Sequence, residues 1–219
     1  QTIRDAFANT QFRQDVFVKG EAKRLDAEER RKQLSERAFV LTGPARSVPR
    51  AVPGPRAELE LPLAEYGPLI AALAADAHAP KSIAALQASV SERDPQTLLR
   101  RLLILIGAGA VEPVNVVKPT ADVSARCAAL NAYLCERAEH DGAVGALASP
   151  VLGAGVNVGR LVQLVLLAKQ RGAGSPAAVA QFVHARLRNQ GAPPLPELQA
   201  MVPGMERDLM PILRALRIL

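Results

Sequence analysis

The sequence predicts a mainly α protein with a small β component, organised as a winged-helix-like unit followed by an α-helical domain. Three observations predict it. First, 49% of the 219 residues are hydrophobic but only 3% are aromatic and Trp is absent. The apolar complement is Ala, Leu and Val, and Ala and Leu lead the helix scale. Second, apolar residues recur at helical spacing over most of the chain beyond residue 63, and several runs open on Ser or Asp, which cap helices. Third, strand-like segments are short and confined to the neighbourhood of residues 38–43, 57–63 and 110–117. The length suffices for one large domain or two to three small ones. The expected division is 1–45, 46–118 and 119–219.

Taken in order, Phe7, Phe12, Val16 and Phe17 recur at helical spacing over residues 2–20, a helix broken near Asn9-Thr10. Asp26 with Glu29 three residues on forms a capping pattern for the next helix. AFVLTG (38–43) is a strand candidate. Residues 43–56, with four prolines and two glycines, form a loop or linker. AELELPL (57–63) alternates strictly, so a half-buried strand with Leu59, Leu61 and Leu63 on one face is expected. Three helices follow: 64–77, one capped by Ser82, and one capped by Asp94 with Pro95 at its first position. AVEPVNVV (110–117) is a short strand.

Beyond Pro119, residues 121–140 form one long amphipathic helix. SPVLGAGVNVG (149–159) is glycine-rich and extended. Residues 160–171 are a strongly apolar helix, Ser175-Pro176 caps a helix over 177–189, GAPPLPE is a turn, and 205–219 is the terminal helix.

RRLLILIGAGAVEP (100–113) raises the question of a cofactor. Aliphatics ending in Gly-Ala-Gly open dinucleotide-binding folds, but that fingerprint needs G-x-G-x-x-G and then a helix. Here the third glycine position is Glu112, followed by Pro113. From Asp94-Pro95 onward, Leu98, Leu99, Leu102, Leu103, Leu105 and Ile106 cover the inward arc of a helix, with Arg100 and Arg101 outward. The aliphatic run is therefore a helix tail, closed by Gly107 and Gly109. A second cluster, Gly153 to Gly159 before Arg160, follows no strand-like run and carries only a weak anion-cradle signal.

The helix at 94–107 is the one that, in a winged-helix unit, enters a DNA major groove. Its outward residues include only two arginines, and the wing carries Glu112 and no basic residue. A DNA-binding transcriptional regulator is thus the alternative reading, and no nucleic-acid partner is expected. The net charge of +6 is concentrated in residues 1–56, which hold 12 Lys+Arg against 7 Asp+Glu; the remainder holds 15 against 14. His78, His140 and His184 lie in separate elements, and no nucleophile, metal or phosphate-loop motif occurs. No signal peptide or span of about 20 apolar residues is present, so no membrane insertion is expected. Cys127 and Cys135, eight apart on one helix face, are too distant for a disulfide and read as reduced thiols of a cytoplasmic protein.

Two stretches carry a family likeness. NTQFRQDVFVKGEAKRLDAEERRKQL (9–34) resembles the end of the methyltransferase regulatory domain that follows the catalytic domain in a bacterial family of S-adenosylmethionine-dependent methyltransferases. The matching positions are Asn9, Phe12-Arg13, Asp15, Val16-Phe17 and Arg24-Leu25. LASPVLGAGVNVGRLVQLVLLA (147–168) is similar to a segment near the C-terminus of the same family, which includes protein-lysine methyltransferases that modify outer-membrane proteins. The resemblance implies a class I catalytic domain placed before this region. No D/E-x-G-x-G-x-G loop occurs here, so no cofactor-binding residue is expected in this chain, which reads as an inactive fragment. Its expected role is substrate recognition or regulation. The expected partners are its own N-terminal catalytic domain and a protein substrate, with a homodimer open through helix 205–219. Candidate contact residues are Asn9, Phe12, Arg13, Ser149, Pro150, Gly153, Gly155 and Arg160.

Overall fold

A computed structural model describes residues 25–54, 57–92, 94–188, 191 and 193–219. The described chain is mainly helical with small antiparallel sheets, as composition and periodicity predict. The first 24 residues, and with them Asn9, Phe12, Arg13 and the helix expected over 2–20, lie outside the described residues.

Helix α1 (Ala27–Glu36) starts where the capping pattern sets it. Asp26 accepts from the backbone of Glu28 and Glu29, and the Glu29 carboxylate accepts from the Asp26 N–H. Strand β1 (Ala38–Leu41) follows, then β2 (Ala51–Pro53) and β3 (Glu58–Glu60), which pair with each other as a separate ribbon. Helix α2 (Leu63–His78), β4 (Lys81–Ser82), α3 (Ile83–Ser89), α4 (Pro95–Gly107) and β5 (Val111–Pro113) complete the first half. Ser82 and Asp94 cap α3 and α4 through their side chains, as read from sequence.

The sheet of this half has the order β4-β1-β5, all antiparallel. Helix α2, strand β4, helices α3 and α4 and strand β5 trace a winged-helix path. No strand returns after β5 to form a wing, and β1 occupies the centre of the sheet instead. Sheet pairing thus carries the winged-helix-like unit back to residue 38.

Two expectations need correction here. The half-buried strand expected over 57–63 is three residues long and joins β2 rather than the main sheet. Leu59 is exposed and only Leu61 is buried, while Leu63 is already the first residue of α2. Pro62 ends the strand, and no second layer covers the Leu59 side. In α4, Leu98, Leu102 and Leu105 are buried as expected, but Leu103 is 55% exposed; it lies on the face that carries Arg100.

Helix α2 is regular only to Ala74. Asp76, Ala77 and His78 all have positive φ, a left-handed turn that costs non-glycine residues roughly 1–2 kcal/mol each. Lys81 offsets part of this: its Nζ donates to the carbonyls of Ala75 (2.8 Å) and Ala79 (3.3 Å) and pairs with Asp76. Burial, with Lys81 beside it, pushes the His78 imidazole below its ordinary value.

The second half comprises α5 (Ala121–Arg137), β6 (Ala146–Ser149), β7 (Ala154–Asn157), α6 (Arg160–Gln170), α7 (Pro176–Leu187) and α8 (Leu195–Ala215). The glycine-rich stretch read as extended is a hairpin: β6 and β7 pair antiparallel, Ser149 opposite Ala154. The terminal helix begins ten residues before the expected 205, directly after Pro194, and continues through Pro203 and Pro211. Proline removes one ladder bond and is ordinarily a breaker. Here Leu198, Val202, Met210, Ile212, Leu213 and Leu216 are buried in the chain's own core and outweigh that loss. Among the described residues no helix is long and apolar enough to cross a membrane.

Two cores result. One gathers Phe39, Leu41, Leu69, Leu73, Leu98, Leu102, Leu105 and Val111; the other gathers the apolar faces of α6, α7 and α8 with Leu147, Val156 and Val40. The period of two along β1 explains the split: Phe39 and Leu41 face one core and Val40 the other. Helix α2 also packs on α8, and Arg46 pairs with Asp208 across the same junction.

Both cysteines are free. Cys135 is buried, and burial pushes its thiol up to about 11, whereas Cys127 is half-buried. A rise of that size lowers the thiolate fraction about a hundredfold at neutral pH. Iodoacetamide should therefore modify Cys127 alone in the folded chain and both thiols after unfolding, read by mass spectrometry. Equal modification of Cys135 in the folded chain would contradict the packing of α5.

Candidate functional site

A cleft of about 470 Å³ opens where the two halves meet. Its walls are the 42–49 loop after β1, the turn from Ala108 to Glu112 between α4 and β5, and the hairpin residues Leu152 and 155–157. Each wall has a local cause. Gly109 takes φ +69° and carries the chain out of α4. Its carbonyl accepts from the Thr42 hydroxyl (3.0 Å), which fixes the start of the 42–49 loop. Ser47 Oγ donates to the Pro44 carbonyl at 2.7 Å and tightens that loop.

The hairpin wall is held by the three buried polar side chains of the described chain, Asn131, Ser149 and Gln163. Asn131, from α5, imitates a neighbouring strand. Its Nδ2 donates to the Ala148 carbonyl (2.9 Å), and its Oδ1 accepts from the Ala148 N–H (2.7 Å). Ser149 Oγ donates to the Leu216 carbonyl and accepts from the Leu152 N–H. Gln163 Nε2 donates to the carbonyls of Val144 and Val158, both at 2.8 Å, and closes the base of the hairpin. Buried polar groups persist only when bonded, so these contacts fix the hairpin in one position.

The ladder of the hairpin decides what its outer edge offers. Ala148 spends its N–H and C=O on Asn131, so the hydrogen-bonded pairs with β7 are Leu147–Val156 and Ser149–Ala154. The Val158 N–H donating to the Gly145 carbonyl follows the same alternation. Gly155 and Asn157 therefore turn their backbone N–H and C=O away from β6, on the side that lines the cleft. Outside the ladder, no described residue hydrogen-bonds to either backbone.

Glu112 completes the site. It pairs with Val40 in the sheet, so its side chain shares the Val40 face and is directed to the second half. It is half-buried, its carboxylate has no ion pair or hydrogen-bond partner among the described residues, and it is the only charged residue of the cleft wall.

The sequence-derived candidates divide in this geometry. Ser149 and Pro150 are buried, and Ser149 is committed to the hairpin and α8. Arg160 Nε donates to the Ala138 carbonyl (2.7 Å) and its Nη2 to that of Glu139 (3.2 Å), so it caps the end of α5. Gly153 has φ +67° at the hairpin turn, where a Cβ would come within 2.5 Å of Asn115 Nδ2. Gly155 alone among the described candidates lines the cleft. Glu112 entered the sequence reading as a wing residue, and Asn131 and Gln163 were not singled out at all. Their signal is a lone amide on an otherwise apolar helix face.

On the α4 face Arg100 is exposed and Arg101 half-buried. Arg101 pairs with Glu65 (3.1 Å) and Glu92 (3.4 Å), and its side chain is only 19% exposed. A second charged cluster closes the far end of α5. Glu139 accepts from Arg171 at 2.7 and 2.8 Å and from Arg186 at 2.9 Å, and Arg186 stacks 3.5 Å from the Phe182 ring centre. Hydrogen bonds from Arg171, and then from Arg186, hold the Glu139 carboxyl below its usual range. The groups of both clusters are spent on one another. Among the described residues no group of three His, Cys, Asp or Glu is arranged to hold a metal ion.

The Synechocystis sp. protein named Uncharacterized protein sll1526 is 32% identical over 193 residues, covering 87% of this chain. The chain spans 37% of the length of that relative. No protein-family model matches the chain, and no solved structure matches it.

Proposed function

We propose that this chain is a non-catalytic recognition region of an S-adenosylmethionine-dependent methyltransferase that acts on a protein, with protein-lysine methylation the favoured chemistry. In this reading a catalytic domain of the same polypeptide supplies cofactor and methyl transfer. The present chain holds the substrate polypeptide. The observation that carries the recognition role is the cleft at the junction of the two halves, with its unpaired backbone at Gly155 and Asn157. The methyltransferase assignment rests on the likeness of residues 9–34 and 147–168 to the family described above. A relative in which the matched region is little more than a third of the chain leaves room for a further domain.

The reading frame upstream of residue 1 in the natural gene tests this directly. It is expected to encode a strand followed by a glycine-rich cofactor loop; a frame without one overturns the assignment. Calorimetry of the 219-residue chain with S-adenosylmethionine should give no saturable heat, and micromolar binding would place the cofactor site here instead.

A further inference from the structure

We infer that the cleft binds an extended polypeptide segment as an added strand on the outer edge of β7, and that Glu112 selects a segment carrying a lysine or arginine. The inference rests on the proposed function only in calling that segment a methyltransferase substrate; the binding mode follows from the geometry.

An open sheet edge is a template for another chain, and proteins normally cover, charge or shorten it. Both edges of the β6–β7 hairpin can be traced. The β6 edge is capped by Asn131, which takes both backbone groups of Ala148. Among the described residues the β7 edge has no such cap. Gly155 and Asn157 each present one N–H and one C=O to the cleft, the pattern that an incoming antiparallel strand would complete. Four bonds would be available over the four-residue length of β7, about 13 Å of extended chain.

Side chains of an added strand alternate between two directions. One set would meet the apolar wall of Val48, Pro49 and Leu152, and the other the Glu112 carboxylate. In a chain of net charge +6, the one formal charge on the cleft wall is negative and unpartnered among the described residues. A half-buried carboxylate facing a ligand favours a cationic side chain and penalises an anionic one. Gly155 adds a steric condition, because with no side chain it lets a second backbone approach closely.

The test uses the 219-residue chain, labelled with nitrogen-15, and two synthetic peptides: acetyl-Thr-Val-Lys-Val-Thr-amide and the same peptide with glutamate in place of lysine. The lysine peptide should shift the Gly155 and Asn157 amide resonances and slow their hydrogen exchange. The glutamate peptide should bind about tenfold more weakly. Glu112→Lys should invert that preference, and its circular dichroism melt shows whether the fold survives. Asn157→Pro removes an outward N–H without touching the ladder and should weaken both peptides; its circular dichroism melt shows whether the fold survives. Shifts confined to another surface, no binding of either peptide at millimolar concentration, or equal affinity for the two peptides would each overturn the inference. The upstream reading frame is unaffected by any of these results, so the two ideas can fail separately.

Discussion

Replacing Asn131 with leucine is expected to lower stability by about 3 kcal/mol, which in a chain of this length corresponds to a fall in melting temperature of roughly 6–12 °C. Leucine has the same number of side-chain heavy atoms and the same branch at Cγ, so no cavity is left and the loss is chiefly one of hydrogen bonding. It comes from Ala148, whose N–H and C=O would be left facing a methyl group. Each buried backbone group without a partner costs about 1–3 kcal/mol, and the cost falls on the residue that keeps its polarity rather than on the one replaced. The effect is also local: the Ala148 amide, protected by its 2.7 Å bond to Oδ1, should exchange with solvent far faster in the variant.

Asn131→Asp separates this account from a simple loss of volume. The carboxylate still accepts from the Ala148 N–H, but its second oxygen then opposes the Ala148 carbonyl where the amide donates at 2.9 Å. The deficit should shrink on acidification, when a protonated carboxyl can donate again, whereas the leucine variant should show no such recovery. A melting temperature of Asn131→Leu close to that of the parent chain would show that water replaces the amide at no cost, and the hairpin would then need another anchor.

How the hairpin is anchored also shows why the site was less legible than the fold. Helices α3, α4 and α7 and the start of α1 announce themselves through local chemistry: Ser82, Asp94, Ser175 and Asp26 each cap through bonds to residues within three positions. Such signals lie inside the window that periodicity reads. The hairpin's partners do not. Asn131 reaches Ala148 across 17 residues, and Ser149 reaches Leu216 across 67. A lone amide on an apolar helix face marks such a residue, but no local pattern says which distant backbone it meets. The alternation at 57–63 failed for the opposite reason: it is a true local pattern, but nothing packs over Leu59. Helix α8 shows tertiary packing overriding a local breaker, since Pro203 and Pro211 sit inside it.

The same distinction bears on β1, whose three consecutive buried residues look from sequence like any short strand. Because Leu41 faces one core and Val40 the other, truncating either should perturb both halves together. Leu41→Ala is expected to cost about 3 kcal/mol and Val40→Ala about 2 kcal/mol, the difference following the volume removed from sites that are both 0% exposed. In differential scanning calorimetry the parent chain should melt in one transition, and each variant should move that whole transition. The wall between the cores is a single strand hydrogen-bonded on both sides, to β4 and to β5, so neither core can open without disturbing it. Arg46–Asp208 and the contact of α2 with α8 add further ties across the junction. Two separable transitions, one moved only by Leu41→Ala and the other only by Val40→Ala, would show that the halves unfold independently. The cleft between them would then be a seam whose width varies rather than a preformed site for an extended chain.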